Sequence, residues 1–205
     1  MKFKLLIQLK NYLGYTMDKF DIFLTGVGGQ GIGLISEVVL RAADHAGLPV
    51  KGVDTHGLAQ RGGIVVSRVR IGPKVRTPLI PKGEADMVIA LERHEALRGM
   101  NDALKDKGTL VYYNTVQQPL ETRLNQASEV DESLVSKTCK ARGVKEFKVS
   151  ADELVDARMQ NIAVLATINK NNLIPGIKTE HYKQAMNDLL QGSVLEKNLQ
   201  LFESL

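Results

Sequence analysis

A single cysteine, Cys139, stands in 205 residues. One thiol excludes an internal disulfide. It also excludes a self-contained iron–sulfur cluster, which needs a set of thiolate ligands. Cys139 lies in a polar stretch with no histidine nearby, so it is assigned no nucleophilic role. The four histidines show no metal-ligand spacing, and sequence order reveals no Ser-His-Asp arrangement. No apolar run approaches the ~18 residues of a membrane span. Excess charge is also scarce. The formal net charge is +4, but residues 1–16 carry Lys2, Lys4 and Lys10 and no acid; without them 24 basic residues face 23 acidic ones. A near-neutral body argues against a general nucleic-acid surface. The expected setting is cytoplasmic, with neither nucleic acid nor membrane as partner.

Residues 1–16 have only a short, interrupted apolar stretch and no small-residue cleavage site, so they do not read as a signal peptide. Met17 and the following "DKFDIFLTG" make a natural start to a first strand. Residues 1–16 are therefore expected to be an extension or a loosely docked helix, and residues 17–205 one α/β domain.

Along that body, "FDIFLTG" is a buried strand running into the glycines of "GVGGQGIG", residues 26–33. Ile35, Val38, Val39, Ala42 and Ala46 then share one helical face, with Gly47 and Pro49 to stop the helix. "PVKGVDTHG" is a second strand ending near Asp54, which completes a βαβ unit with a parallel sheet. In "IVVSRVRIG", Ile64, Val66, Arg68 and Arg70 alternate with Val65, Ser67, Val69 and Ile71. This strand is expected to pair antiparallel with "VRTPLI", residues 75–80. "ADMVIALE" predicts a strand, 93–106 a helix, "TLVYYN" a strand with Gly108 at the turn into it, and "VKEFKVS" a last short strand. Residues 115–143 are polar and weakly patterned. Ser150 and Glu153 form a capping box for a helix that turns Leu154, Ile162, Leu165 and Ile168 inward. "NNLIPGIKT" breaks it, and a final helix carries Tyr182, Ala185, Met186 and Leu189. The expected fold is α/β and Rossmann-like: a mostly parallel sheet with flanking helices, an antiparallel addition and a helical C-terminal portion.

Gly26, Gly28 and Gly31 fit G-x-G-x-x-G. The first glycine permits a tight strand-to-helix turn, the second the approach of a phosphate, the third close packing. The helix N-terminus adds free N–H groups and partial positive charge. Asp54 stands about where an acid would bind a ribose hydroxyl. Gly29 and Gln30 make the loop looser and more polar than a dinucleotide needs. Nicotinamide or flavin binding, another phosphate ligand, and a structural turn all stay open on these residues.

"GVGGQGIG", a helix, then "DTHGLAQRGG" and "VVSRVRIG" together resemble the gamma-type component of 2-oxoacid:ferredoxin oxidoreductases, nearest to the small subunit of indolepyruvate ferredoxin oxidoreductases. The resemblance is most specific over residues 21–72, extends by element order to about residue 190, and leaves out 1–16. Enzymes of this kind decarboxylate a 2-oxoacid on thiamine diphosphate, pass electrons through iron–sulfur clusters to ferredoxin, and yield an acyl-CoA. The resemblance implies that thiamine diphosphate, Mg2+ and the clusters sit on a larger partner subunit. This chain agrees, having no G-D-G signature and no cysteine set. It implies an isolated chain that is inactive and holds no cofactor alone, but packs against the partner and shapes its active site, including the approach of coenzyme A.

The candidate contact residues are Gly26, Gly28, Gly29, Gln30 and Gly31 in the first loop, and His56, Gln60, Arg61 and Gly62 in the second. The first loop either meets an anion or coenzyme or only turns against the partner. His56 either touches substrate or phosphate or bonds nearby backbone. Arg61 either holds a carboxylate or phosphate bidentately or makes an intersubunit ion pair. Arg68 and Arg70 read as a solvated face or an anion site; Glu92 and His94 follow a strand end, where α/β sheets place ligands. His45 and His181 read as surface helix residues. The competing function is a stand-alone NAD(P)-binding module or small dehydrogenase, though little chain remains for a separate substrate domain.

Overall fold

A computed structural model of the chain describes residues 17–55, 63–116, 129–150, 154 and 159–205. In chain order the elements are β1 (Phe20–Val27), α1 (Ile32–His45), β2 (Val50–Thr55), β3 (Ile64–Ile71), β4 (Ala85–Ala90), α2 (Arg93–Asp102), β5 (Leu104–Tyr113), α3 (Glu132–Arg142), β6 (Lys145–Val149), α4 (Gln160–Lys170), α5 (Thr179–Leu189) and α6 (Gly192–Ser204). The sheet order is β2-β3-β1-β4-β5-β6. β1, β4, β5 and β6 run parallel, and β3 lies antiparallel between β1 and β2. Only β3 is reversed, so the sheet is mostly parallel and α/β, as the sequence predicts.

The position of β3 differs from expectation. It pairs along its whole length with β1, Phe20 opposite Ile71 through Val27 opposite Ile64, and on its other side with β2. Residues 75–80 form no strand. Pro78 has no N–H to give a ladder, and the Thr77 and Leu79 carbonyls instead accept from the Arg70 guanidinium at 3.1 and 2.7 Å. Two long strands offer β3 more ladder than this proline-interrupted segment can.

Alternation decides the layers. Ile22 and Leu24 of β1 face a core built with Ile35, Val38 and Val39 of α1 and Ile162, Leu165 and Ile168 of α4. Phe23 faces the other side, with Val88 and Ala90 of β4, Ala96 and Met100 of α2, and Val135 and Cys139 of α3. Helices α1, α4, α5 and α6 thus cover one face. Helices α2 and α3 cover the other over β4 to β6, and α2 reaches β1. Each fully buried Leu or Ile in these layers stabilises by about 1.5–3 kcal/mol.

Three further expectations change. A helix, α3, lies where residues 115–143 read as polar and weakly patterned. Its N-cap is Asp131, whose carboxylate accepts from Ser133 N, and it ends at Gly143 with φ 64°. The sequence-predicted helix over 93–106 stops at Asp102, because β5 begins at Leu104 and carries a bulge between its pairings with Ala85 and Met87. The C-terminal portion holds α6 beyond the helix of Tyr182 and Met186. Helix α4 begins at Gln160 with Met159 as N-cap and no side-chain cap; Glu153 of the expected capping box is outside the described residues.

Candidate functional site

The chain leaves β1 toward β2 through α1 on one face, and leaves β4 toward β5 through α2 on the other. The C-terminal ends of β1 and β4 are therefore where the winding reverses, the crevice in which open α/β sheets bind ligands. The glycine loop occupies it. Gln30 ties its two sides together. The side chain is buried, its Oε1 accepting from Val27 N at 2.7 Å and its Nε2 donating to the Leu91 carbonyl at 3.0 Å. Leu91 N also donates to the Thr25 carbonyl at 3.1 Å. The polar character of "GGQG" thus serves the loop's own anchoring through Gln30.

The glycines divide by geometry. Gly31 is the N-cap of α1 at φ 85°, and a Cβ there would lie 2.5 Å from Asn161 Nδ2. It is the close approach of α4, rather than of a strand, that demands glycine at this point. At Gly26 a Cβ would meet Ile32 at 2.9 Å and Gln30 Oε1 at 3.0 Å. The Gly28 amide donates to the Gly63 carbonyl at 2.9 Å, tying the loop to the start of β3. Gly29 and Gly33 are different: a Cβ on either meets nothing within 4 Å. Helix α1 has no side-chain cap and no acid in its first turn. Its first-turn amides, Ile32 to Leu34, have no intrahelical acceptor and face a positive dipole end. The loop combines a rigid inner wall with an open rim that suits an anion.

The strand order removes Asp54 from the place of a ribose-binding acid. With β3 between β1 and β2, Asp54 sits two strands from the glycine loop, roughly 10 Å across the sheet. Asp54 instead accepts from Ser36 Oγ at 3.1 Å. His56, Gln60, Arg61 and Gly62 lie outside the described residues. They belong to the connection from β2 to β3, whose flanks, Thr55 and Gly63, are at the same sheet edge as the loop.

Beside the loop lies a cluster that sequence reading caught only in part. Glu92 is fully buried and caps α2, accepting from Glu95 N at 2.5 Å and holding His94 Nδ1 at 3.1 Å. His94 Nε2 accepts from Val130 N at 3.2 Å. Both side chains are therefore engaged in holding elements together. Thr25 and Glu95, not foreseen, meet at 2.5 Å between Thr25 Oγ1 and Glu95 Oε2, and Arg98 Nε is 3.2 Å from Glu95 Oε1. Burial pushes the Glu95 carboxyl above the usual range, and neighbouring Glu92 adds to it, while Thr25 and Arg98 oppose. The only hint of Glu95 in the sequence is its position three residues into a helix after a strand.

Arg70 is not on a solvated face. It forks onto the fully buried Asp21 at 2.8 and 3.1 Å. Arg68 lies 5.4 Å over the Phe23 ring. His45 Nε2 meets Asp188 at 2.7 Å, and His181 Nδ1 accepts from Lys178 N at 3.1 Å, so both anchor helices. Cys139 is buried, and burial raises its thiol to about 12. Among the described residues no group of His, Cys, Asp and Glu could hold a metal ion, and no helix is long and apolar enough to cross a membrane. A hollow of about 870 Å³ lies elsewhere, lined by Phe147, Val149, Leu154, Thr167 and Leu201. It is remote from the switch of winding.

The fold and this crevice define a doubly wound α/β protein whose glycine loop adjoins a wide sheet edge. Residues 21–204 match the pyruvate ferredoxin/flavodoxin oxidoreductase family. The chain belongs to that family, as its gamma or IorB type. It is 36% identical over 189 residues to the indolepyruvate oxidoreductase subunit IorB of Archaeoglobus fulgidus, covering 88% of this chain and 90% of that protein. The IorB subunit of Pyrococcus horikoshii is 29% identical over 91% of this chain and 94% of its own length. In fold, the chain is similar to the gamma subunit of a keto/oxoacid ferredoxin oxidoreductase from Geobacter sulfurreducens, with a TM-score of 0.61 at 19% identity over 90% of this chain and 94% of that one. It also matches 30% of the longer 2-oxoglutarate:ferredoxin oxidoreductase chain from Magnetococcus marinus, determined with 2-oxoglutarate, coenzyme A and succinyl-CoA bound, with a TM-score of 0.64 at 20% identity over 92% of this chain.

Proposed function

We propose that this chain is the non-catalytic subunit of a complex that converts a 2-oxoacid and coenzyme A, with oxidised ferredoxin, to an acyl-CoA, CO2 and reduced ferredoxin. The relatives' names point to indolepyruvate as the oxoacid. Thiamine diphosphate, Mg2+ and the clusters belong to a larger partner, since one cysteine cannot ligate a cluster. The observation that carries the reading is the uncapped, acid-free N-terminus of α1 behind a loop held rigid by Gln30. Its open rim at Gly29 and Gly33 suits a phosphate of coenzyme A. In this arrangement the chain supplies position and partial charge, while the partner supplies the electrons' path. His56, Gln60, Arg61 and Gly62 are proposed as the second wall of the same approach.

The test uses the complex reconstituted with its larger subunit. Gly33→Asp puts a carboxylate at the rim, where there is space for a side chain. The KM for coenzyme A should rise at least tenfold while the KM for the oxoacid stays within twofold. Equal KM values for coenzyme A in both complexes would remove the loop from the coenzyme's path. Saturable NAD(H) binding by the isolated chain would favour the free-standing module instead.

A further inference from the structure

The sheet is covered on both faces only in part. On the face of α2 and α3, no helix packs over β2 and β3 among the described residues. Parallel sheets are normally covered on both sides. Antiparallel strands can leave one face in water, but then that face reads polar. Here it is mixed: Val53, opposite Arg68, and Ile64 and Val66 share the face with Lys51, Thr55, Arg68 and Arg70, and Ile64 is 40% exposed. A groove of about 370 Å³ runs along this strip, floored by Phe23, Val66 and Ile80. Leu79, next in the chain to Ile80, is 63% exposed.

The rim is cationic. Arg68, Lys82 and Arg98 line the groove, against one acid, Asp102. Arg98 is shared with Glu95. Among the described residues Arg68 bonds the Thr55 hydroxyl, at 3.3 Å, and the Phe23 ring, and neither it nor Lys82 has a carboxylate partner there. Lys51 stands on the same face, opposite Arg70. Covering unpaired cations with apolar surface costs several kcal/mol, so whatever covers this strip must bring carboxylates as well as an apolar anchor.

We propose that this face docks an acidic surface of the larger partner subunit, with an aliphatic or aromatic side chain seated between Val66 and Ile80 and carboxylates meeting Arg68 and Lys82. The inference rests on the subunit reading above and adds where the partner sits. Because Thr25 lines both the groove and the end of β1, docking here brings the partner beside the glycine loop.

The test is a lysine footprint with acetic anhydride on the full chain, free and in complex with the larger thiamine-diphosphate-binding subunit. Lys51 and Lys82 should react at least fivefold more slowly in the complex, while Lys140 of α3 and Lys145 of β6 keep their free rates. Arg68→Glu with Lys82→Glu should weaken assembly at least tenfold, with secondary structure unchanged. If that variant misfolds, the footprint on the unaltered chain decides. A stoichiometric complex in which Lys51 and Lys82 stay fully reactive overturns the docking face and leaves the subunit reading standing. Absence of any complex overturns both. Protection of these lysines by self-association of the chain alone, or tight binding of a free carboxylate in the groove with assembly unaffected by the double variant, also overturns it.

Discussion

The two halves of the sheet solve the same problem with different chemistry. In the half made of β4, β5 and β6, helices close both faces, and β4 reads as an almost unbroken apolar run with Met87, Val88, Ile89 and Ala90 fully buried. In the half made of β2 and β3, helices close only one face among the described residues, and the other is organised by charge: Arg70 on Asp21, Arg68 on Phe23, and Lys82 without a carboxylate partner among those residues. Apolar packing dominates the covered half, with ion pairs such as Arg142 on Asp106 at its margin. The open half holds its shape by a few directional contacts and keeps an apolar strip in reach of solvent. That combination belongs to a surface built for a partner rather than for water.

The sharpest way to break this contrast is Arg70→Ala. Asp21 is fully buried and Arg70 nearly so, and the same guanidinium pins residues 77–79. Removing one member of a buried pair leaves an uncompensated charge, which costs about 3–5 kcal/mol; Lys19 at 3.3 Å from Asp21 keeps the loss near the lower end. Chemical denaturation should report that loss. Asp21→Asn combined with Arg70→Met should recover most of it, because the pair's net worth is small even though its halves cannot stand alone.

A matched pair of substitutions measures the two halves directly. Ile89→Ala in β4 empties a fully buried site and should cost about 2–5 kcal/mol. Ile64→Ala in β3 trims a 40% exposed side chain and should change stability by no more than about 0.5 kcal/mol. Similar values at the two positions in thermal melts would mean that the open strip is packed after all. Within the complex, Ile64→Ala should matter more than in the free chain.

The crevice between the halves offers a smaller effect. Gly31→Ala forces an alanine to φ 85° and drives its Cβ into Asn161. The strained backbone alone costs roughly 1–2 kcal/mol. Gly33→Ala, in the first turn with nothing within 4 Å, should be neutral or stabilise by up to about 1 kcal/mol. Thermal melts of the two variants separate the glycine the fold requires from the one it does not.

Much of the covered half was legible in the sequence because burial leaves a period. The stripe of Ile35, Val38, Val39 and Ala42 predicts α1, and those residues are buried. Helix α3 was illegible because only Val135 and Cys139 are buried. Its surviving signals were an Asp before it and a Gly after it. The placement of β3 leaves no mark in local pattern: alternation in "IVVSRVRI" says that one face is buried, not which strands flank it. The candidate loop was visible as glycines, yet their separate duties were not. That Gly31 admits α4, and that Gln30 turns inward to Leu91, depends on chain far away in sequence. Thr25 and Glu95 escaped for the same reason, being 70 residues apart.

Glu95 yields the finest test of where the two halves meet. Burial, with Glu92 beside it, raises its carboxyl above the ordinary 4.5, so the fold favours the protonated form. Its contribution to stability is therefore fully present below the unfolded value and is lost as pH rises through the higher folded value. Glu95→Gln keeps an acceptor for the Thr25 hydroxyl and carries no charge at any pH. The variant should thus gain on the unaltered chain as pH climbs from the ordinary 4.5 through the higher folded value, and the gap should stay constant above it. Melting temperatures across that range check it. A gap that shrinks as pH rises would mean that Thr25 and Arg98 outweigh burial and hold Glu95 ionised. The carboxylate would then belong to the charge-organised half of the sheet, not to the packed one.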